Sequence, residues 1–258
     1  MQNLRKILEN TFVADLEHHA EIGSTNDRAS QCAAYAGVKL PWLIIADRQT
    51  AGRGRGSNRW WTGSGSLAFS LLIGPELVAP AGASQRSGLV SLAAAVAVVE
   101  AVSPIIVPGH EIGIHWPNDV LLDGRKLAGI LIEVLPDGKH VIGIGLNVNN
   151  AAADAPEDVR PRVVTLLDAT GREHDSTELL IAILQQLQRQ LARLAIAPES
   201  IVARAQDLCL QRGKQLQIVQ GEKRIEGHCL GIAADGALLI EADGKQQAVY
   251  SGVVRCVV

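Results

Sequence analysis

The chain has 258 residues, 47% of them hydrophobic, enough to bury the core of one large domain or of a large domain with a small one beside it. A net charge of −3 excludes a general electrostatic binder of nucleic acid or of membrane surfaces. Four cysteines without CxxC or Cys/His ligand spacing exclude a zinc finger or a disulfide framework; with no signal peptide and no run of about 18 apolar residues, a cytoplasmic protein is expected.

In chain order, Leu4, Ile7 and Leu8 mark a short amphipathic segment. Next, "STNDRASQCAAYAG" reads as a helix capped by Ser24 or Thr25 and ended by Gly37. "WLIIAD" (42–47) and "SLAFSLLIG" (66–74) read as strands on either side of a glycine-arginine loop. "SQRSGLVSLAAAVAVVEAVSP" is an alanine-rich helix stopped by Pro104, and its near-continuous apolarity marks it as packed. Residues 112–149 alternate aliphatic runs with Pro-Asn-Asp, Asp-Gly and Pro-Asp-Gly turns, the pattern of an antiparallel meander. Asp175 with Glu178 resembles a capping box opening a long leucine-rich helix, and Pro198 opens another that runs to about Gly213. From Lys214 onward short strands alternate with glycine-bearing turns, as in a small barrel.

Three stretches carry candidate chemistry. In "TAGRGRGSNRWW", Gly52, Gly54 and Gly56 remove Cβ atoms so that backbone N–H groups can converge on an anion, while Arg53 and Arg55 add planar charged forks. The stretch also reads as a flexible surface loop; it is neither a Rossmann fingerprint nor a P-loop. Trp60 and Trp61 follow it, and an indole beside an anion loop can stack a base, although core packing suits Trp61 better. In "WPNDVLLDGRKLAGILIE", Asp119 can hold magnesium, and Lys126 and Gly129 can meet one ligand only if a bulge puts them on one face of the strand. In "IGIGLNVN", Gly143 and Gly145 mark a close approach within a strand, and Asn147 offers both a donor and an acceptor. No histidine ligand pair and no GxSxG element is present.

Together with "STND" at 24–27 and Gln49, these stretches resemble the biotin protein ligases over about half the chain. The resemblance implies an α/β (α+β) fold: a mixed, largely antiparallel sheet with helices as the catalytic domain (1–212), plus a small C-terminal SH3-like β-barrel domain (213–258). It implies ATP-dependent activation of biotin to biotinyl-AMP, and transfer of biotin to a lysine of a biotin carboxyl carrier domain, as in acetyl-CoA carboxylase. By motif, Ser24, Thr25 and Asn26 would line the biotin pocket, with Gln49 at its polar end. Arg53, Gly54 and Arg55 would order the ligand, and Lys126 would bind the carboxylate and then the acyl phosphate, beside the Gly129 backbone. Arg53, Arg55 and Lys126 would be catalytic. Trp60, Gly143, Gly145 and Asn147 would serve the nucleotide, and Asp119 would help hold Mg²⁺. The run "GRGRGSNRW" departs from the common GRGRxGRxW but keeps the spacing of Arg55 to Trp60. Only 23 residues precede Ser24, too few for a winged-helix DNA-binding domain, so no nucleic-acid or membrane partner is expected, and a homodimer is allowed. The alternatives are a lipoate–protein ligase of the same fold and a non-enzymatic nucleic-acid binder.

Overall fold

The computed structural model describes residues 3–35, 37–78 and 87–256. Helix α1 (Leu4–Asn10) is capped by Asn3, whose side chain accepts from Lys6 N–H, and it buries Ile7. Strand β1 (Asp15–Ile22) pairs parallel with β2 (Trp42–Gln49), a strand the sequence pattern did not reveal. Its central run Glu17-His18-His19 offers no apolar alternation, and the register with β2 is what holds it. Between the two lies α2 (Thr25–Cys32), where Ser24 Oγ accepts from Asp27 N–H as the cap. The helix stops at Cys32, earlier than expected; Gly37, with φ of +82°, lies beyond it in the connection to β2.

Strand β3 (Leu67–Ile73) is buried along its whole length, and α3 (Ser87–Val102) follows; its expected first residues, 84–86, lie outside the described residues. Strands β4 (Ile112–His115), β5 (Asp119–Leu122), β6 (Arg125–Val134) and β7 (His140–Leu146) form the expected antiparallel meander. The resulting seven-stranded sheet runs β1-β2-β3-β7-β6-β5-β4, with β1–β2 its one parallel pair among the described residues. Helices α4 (Leu166–Thr170), α5 (Ser176–Ile196) and α6 (Pro198–Asp207) follow, and Asp175 caps α5 by accepting from Thr177 and Glu178 N–H. Helix α6 ends well short of Gly213, because the chain there bonds to the edge strand β4: Ile114 N–H donates to Leu208 O (2.7 Å) and Leu210 N–H to Ile114 O (3.0 Å).

Strand alternation gives the large sheet two unlike faces. Leu43 and Ile45 of β2, Leu67, Phe69, Leu71 and Ile73 of β3, and Ile142, Ile144 and Leu146 of β7 join one core with α3 and α5. Each such side chain contributes roughly 1.5–3 kcal/mol on burial, so this face carries most of the stability. The opposite face holds only a small apolar cluster, Ala29, Cys32, Ile44, Leu72 and Val141, and beyond it turns polar. Residues 87–105 are in fact long and apolar enough to cross a membrane, correcting the sequence expectation; their packing against α5, α6 and β6 accounts for that apolarity.

The second sheet holds β8 (Gln215–Gln220), β9 (Lys223–Ile232), β10 (Leu238–Ala242), β11 (Lys245–Val249) and β12 (Val253–Cys256), antiparallel in the order β11-β10-β9-β8-β12. No described pairing joins β11 to β12, so the expected small barrel is an open five-stranded sheet by its hydrogen bonds. Trp116 docks this sheet onto the larger one. Its indole N–H donates to Gly236 O (2.9 Å), its backbone N–H to Gln211 Oε1 (2.6 Å), and its carbonyl accepts from Gln211 Nε2 (3.2 Å). All four cysteines are free thiols, Cys32, Cys209 and Cys229 buried and Cys256 exposed.

Candidate active site

The polar face of the large sheet opens into a cavity of about 1130 Å³. Its lining brings together all fourteen sequence-predicted site residues, drawn from α2, β2, the glycine-arginine loop, β5, β6, β7 and their ends. The turn after β8 and residues 251–255 of the second sheet close its far side.

The floor is shaped by glycines in β6 and β7. A Cβ on Gly143 would collide with Asn26 Oδ1, and one on Gly145 with the Trp60 ring. Gly129, paired with Gly145, would bring a Cβ to 3.0 Å from Lys126 Cε and 3.2 Å from Trp60 Cζ3. The approach that the sequence marked at Gly143 and Gly145 is therefore an approach of protein side chains: these glycines seat Asn26 and Trp60. The bulge needed to bring Lys126 and Gly129 together is also present. The β5–β6 register shifts at Val120/Leu121, so Leu127 is the extra residue.

The loop after β2 is a tight hairpin. Gly54 N–H donates to Asn58 O (2.8 Å), Asn58 N–H to Arg55 O (3.1 Å) and Trp60 N–H to Gly52 O (2.9 Å). Gly52 is required by the close approach, since a Cβ there would stand 2.6 Å from Trp60 O, and Gly56 turns the tip at φ of +61°. The two arginines diverge from this hairpin. Arg53 forks onto Glu133 (2.9 and 2.6 Å) and touches Asp27 (2.8 Å). Arg55 is half-buried, bonds only Asn118 Oδ1 (3.3 Å), and has no carboxylate partner among the described residues. Burial pushes its pKa down, opposed by the field of Asp119, so it is a cation short of an anion.

Lys126 Nζ lies 2.7 Å from Asp119 Oδ1 and 5.7 Å from the Trp60 ring centroid, a cation–π pair. The Trp60 indole N–H is buried without a partner among the described residues. Asn147 is buried, with its amide donating to Lys126 O (3.3 Å) and its oxygen accepting from Asn150 (3.1 Å), so it braces the turn that carries the lysine. At the other end of the cavity, Gln49 Oε1 accepts from Thr25 N–H (2.8 Å) and Thr25 Oγ1 (3.1 Å). Ser70 Oγ lies 2.7 Å from Thr25 Oγ1 and 2.6 Å from Asn26 Oδ1, and Asn26 Nδ2 donates to Glu133 Oε2 (2.7 Å). Trp61 is half-buried in the wall; a Cβ on Gly63 would come within 2.7 Å of its ring.

Sequence reasoning missed Ser70, Glu133 and Asn118. Ser70 stood out in principle as the polar residue in "LAFSLLI", a strand buried throughout. Glu133 shares the face of Gly129 by alternation along β6.

Comparison with known proteins supplies the lineage of this arrangement. The chain is 35% identical over 242 residues to the biotin–[acetyl-CoA-carboxylase] ligase of Mycobacterium tuberculosis, covering 91% of this chain and 86% of that one. It is 31% identical to the ligase of the same name from Paracoccus denitrificans, covering 91% and 98%. Among solved structures, the biotin protein ligase of Aquifex aeolicus in complex with biotin and ATP superposes with a TM-score of 0.82 at 28% identity, over 95% of this chain and all of that one. The signature of the biotin protein ligase C-terminal domain matches residues 213–255, and that of the biotin/lipoate A/B protein ligase family matches residues 20–149. The chain belongs to the biotin/lipoate A/B protein ligase family.

Proposed function

We propose that the protein is an ATP-dependent biotin–protein ligase. It joins biotin to AMP with release of pyrophosphate, then transfers biotin to a lysine of a biotin carboxyl carrier domain such as that of acetyl-CoA carboxylase. The observation that carries the reading is the pair of cations at one cavity, Arg55 without a carboxylate partner among the described residues and Lys126 above Gly129. Relatives with the named activity cover most of the chain.

The chemistry explains the charges. A biotin carboxylate oxygen attacks the α-phosphorus of ATP; the new O–P bond forms as the bond to pyrophosphate breaks. Two anions must meet, and Arg55 and Lys126 offset their repulsion and the charge that develops between them. The acceptor lysine nitrogen then bonds to the acyl carbon, AMP departs with the bonding pair, and the lysine loses a proton. Thr25, Asn26 and Gln49, interlocked through Ser70, form the end of the cavity suited to biotin's polar ring, with Ser24 capping α2 behind them. The backbones of Gly54 and Gly129 suit the biotin carboxylate, and the Trp60 face, seated on Gly145, suits the nucleotide side.

Mg²⁺ fits this site in one form. Among the described residues no group of three or more His, Cys, Asp or Glu could cage an ion, but Asp119 offers one carboxylate beside the cations. Asp119 would hold the ion jointly with the phosphates, where it would neutralise phosphate charge. In this reading residues 1–212 are the catalytic domain and 213–258 the domain that closes the far side of the cavity. The protein works in the cytoplasm without nucleic acid or membrane, and a homodimer is read directly by sedimentation.

Pyrophosphate release on adding ATP with biotin or with lipoate, followed by mass analysis of a carrier domain, tests the assignment. Biotin-dependent release and a single biotinylated lysine are expected. Release with lipoate alone would overturn it.

A further inference from the structure

The two arginines of the hairpin, two residues apart, have opposite surroundings. Arg53 faces two carboxylates: Glu133 takes it in a bidentate fork at 2.9 and 2.6 Å, and Asp27 lies at 2.8 Å. One guanidinium against two carboxylates leaves net negative charge, so this end of the hairpin repels a substrate carboxylate or phosphate. Arg55 faces the cavity with no carboxylate partner among the described residues. Glu133 extends from β6 on the face that carries Gly129, while Asp27 belongs to the first turn of α2. The clamp therefore ties the hairpin to two rigid elements at once. Glu133 also accepts from Asn26 Nδ2 at 2.7 Å, joining the anchor to the Thr25–Ser70–Asn26 network at the pocket's end.

We infer that Glu133, assisted by Asp27, is a positioning residue for the adenylation step: the carboxylates hold Arg53, and Arg53 holds the hairpin where Arg55 reaches the cavity. Arg53 thereby serves as the tether and Arg55 as the anion contact. The inference deepens the ligase reading and rests on it for its kinetic consequence. A bidentate guanidinium–carboxylate pair suits a tether because its two parallel bonds fix orientation as well as distance. A glutamine at 133 keeps shape and one acceptor but loses the charge and the fork.

Glu133→Gln, Arg53→Ala and the double variant test this by two readouts. Hydrogen exchange at the Gly54, Asn58 and Trp60 amides reports hairpin anchorage without any substrate, and is expected to quicken about tenfold in each single variant. In pyrophosphate release, the biotin KM is expected to rise about tenfold while kcat falls less than about threefold, because the chemical groups stay in place and only their docking weakens. Adding Glu133→Gln to Arg53→Ala is expected to change neither readout further, since both act through one contact. Glu133→Asp, still charged, is expected to recover part of the loss. Unchanged hairpin exchange in Glu133→Gln, or fully additive effects in the double variant, would overturn the inference; additivity would assign Glu133 to Asn26 instead. Should Glu133→Gln not fold, Arg53→Gln breaks the same contact from the hairpin side and is read by the same exchange criterion. If the unmodified protein releases no pyrophosphate with biotin, the ligase reading fails while the exchange arm still decides the clamp.

Discussion

The two faces of the seven-stranded sheet are made by the same strands and obey opposite rules. Along β7, Ile142, Ile144 and Leu146 point into the core with α3, whereas Gly143 and Gly145, in alternation with them, leave the other face bare for Asn26 and Trp60. One face gains stability from apolar side chains. The other omits side chains so that polar and aromatic groups from α2 and the hairpin can lie on the backbone. Stability and chemistry are thus separated by the period of two, and substitutions on one face should leave the other's property largely intact.

The largest effect is expected at the two cations of the site face, Arg55 with no carboxylate partner among the described residues and Lys126 paired only with Asp119. Arg55→Ala and Lys126→Ala should each lower biotin-dependent pyrophosphate release by about a thousandfold in kcat/KM. The thermal midpoint should hardly move for Arg55→Ala, which ends no ion pair. Lys126→Ala also strips Asp119 of its partner, so some destabilisation accompanies the catalytic loss. Steady-state kinetics beside thermal melts decide it; a comparable loss of stability and activity in Arg55→Ala would erase the distinction between faces.

Two residues of β7 on opposite faces sharpen the same contrast. Ile142→Ala leaves a cavity in the core and should cost about 2–5 kcal/mol in denaturant unfolding, with the KM for biotin and ATP unchanged. Gly145→Ala pushes a methyl group into the Trp60 ring; about 1–3 kcal/mol is expected, together with a raised KM for ATP. If Gly145→Ala left nucleotide binding untouched, Trp60 would not belong to the nucleotide side.

Legibility in the sequence follows this division. The core helix α3, the meander and the capped α5 were legible because periodicity, turn residues and caps are local signals. So were the loop glycines and Lys126, whose types are chemically unusual in their settings. Strand β1 was not legible, because its stability comes from pairing with β2 and its own residues are polar. The ends of α2 and α6 were misplaced for a related reason: a distant glycine was the strongest local stop signal, while α6 is actually ended by bonding to β4 across the fold. Glu133 and Ser70 carried only faint local signals, a shared face along β6 and a polar residue in an apolar strand, because the partners that give them their roles lie 80 and 45 residues away in the chain.

A smaller effect is expected where the second sheet docks. Gln211→Ala leaves the buried Trp116 backbone N–H and carbonyl without side-chain partners, and should cost about 1–3 kcal/mol. Because Trp116 immediately precedes the Pro117–Asp119 segment at the cavity, faster exchange in β8–β12 should be accompanied by a modest rise in the KM for ATP. Loosening confined to the second sheet, with KM unmoved, would show that this sheet is a cover rather than a part of the site.

The smallest effect concerns protons on the core face. His140 shares the alternation of Ile142 and Ile144, is fully buried, and bonds the Gly138 carbonyl through Nδ1 (3.0 Å) while Nε2 has no partner among the described residues. Charging the ring would place a second N–H in a site without an acceptor, and burial accordingly holds its pKa below the ordinary 6.5. Burial lowers His115 and His174 in the same direction. A depressed histidine keeps its full stabilising contribution above the unfolded value and loses it as pH falls toward the folded one. Unfolding free energy should therefore decline as pH drops below about 6.5, and His140→Gln, which cannot charge, should flatten that decline. On the site face, His115 titrates beside Asp119 and Lys126, so its replacement by asparagine should alter the acid limb of the activity profile as well. Denaturant titrations and rate profiles measured on the same two variants assign each proton to its face: His140 must move stability alone, and His115 must move both, or the separation drawn from β7 does not extend to the ends of the strands.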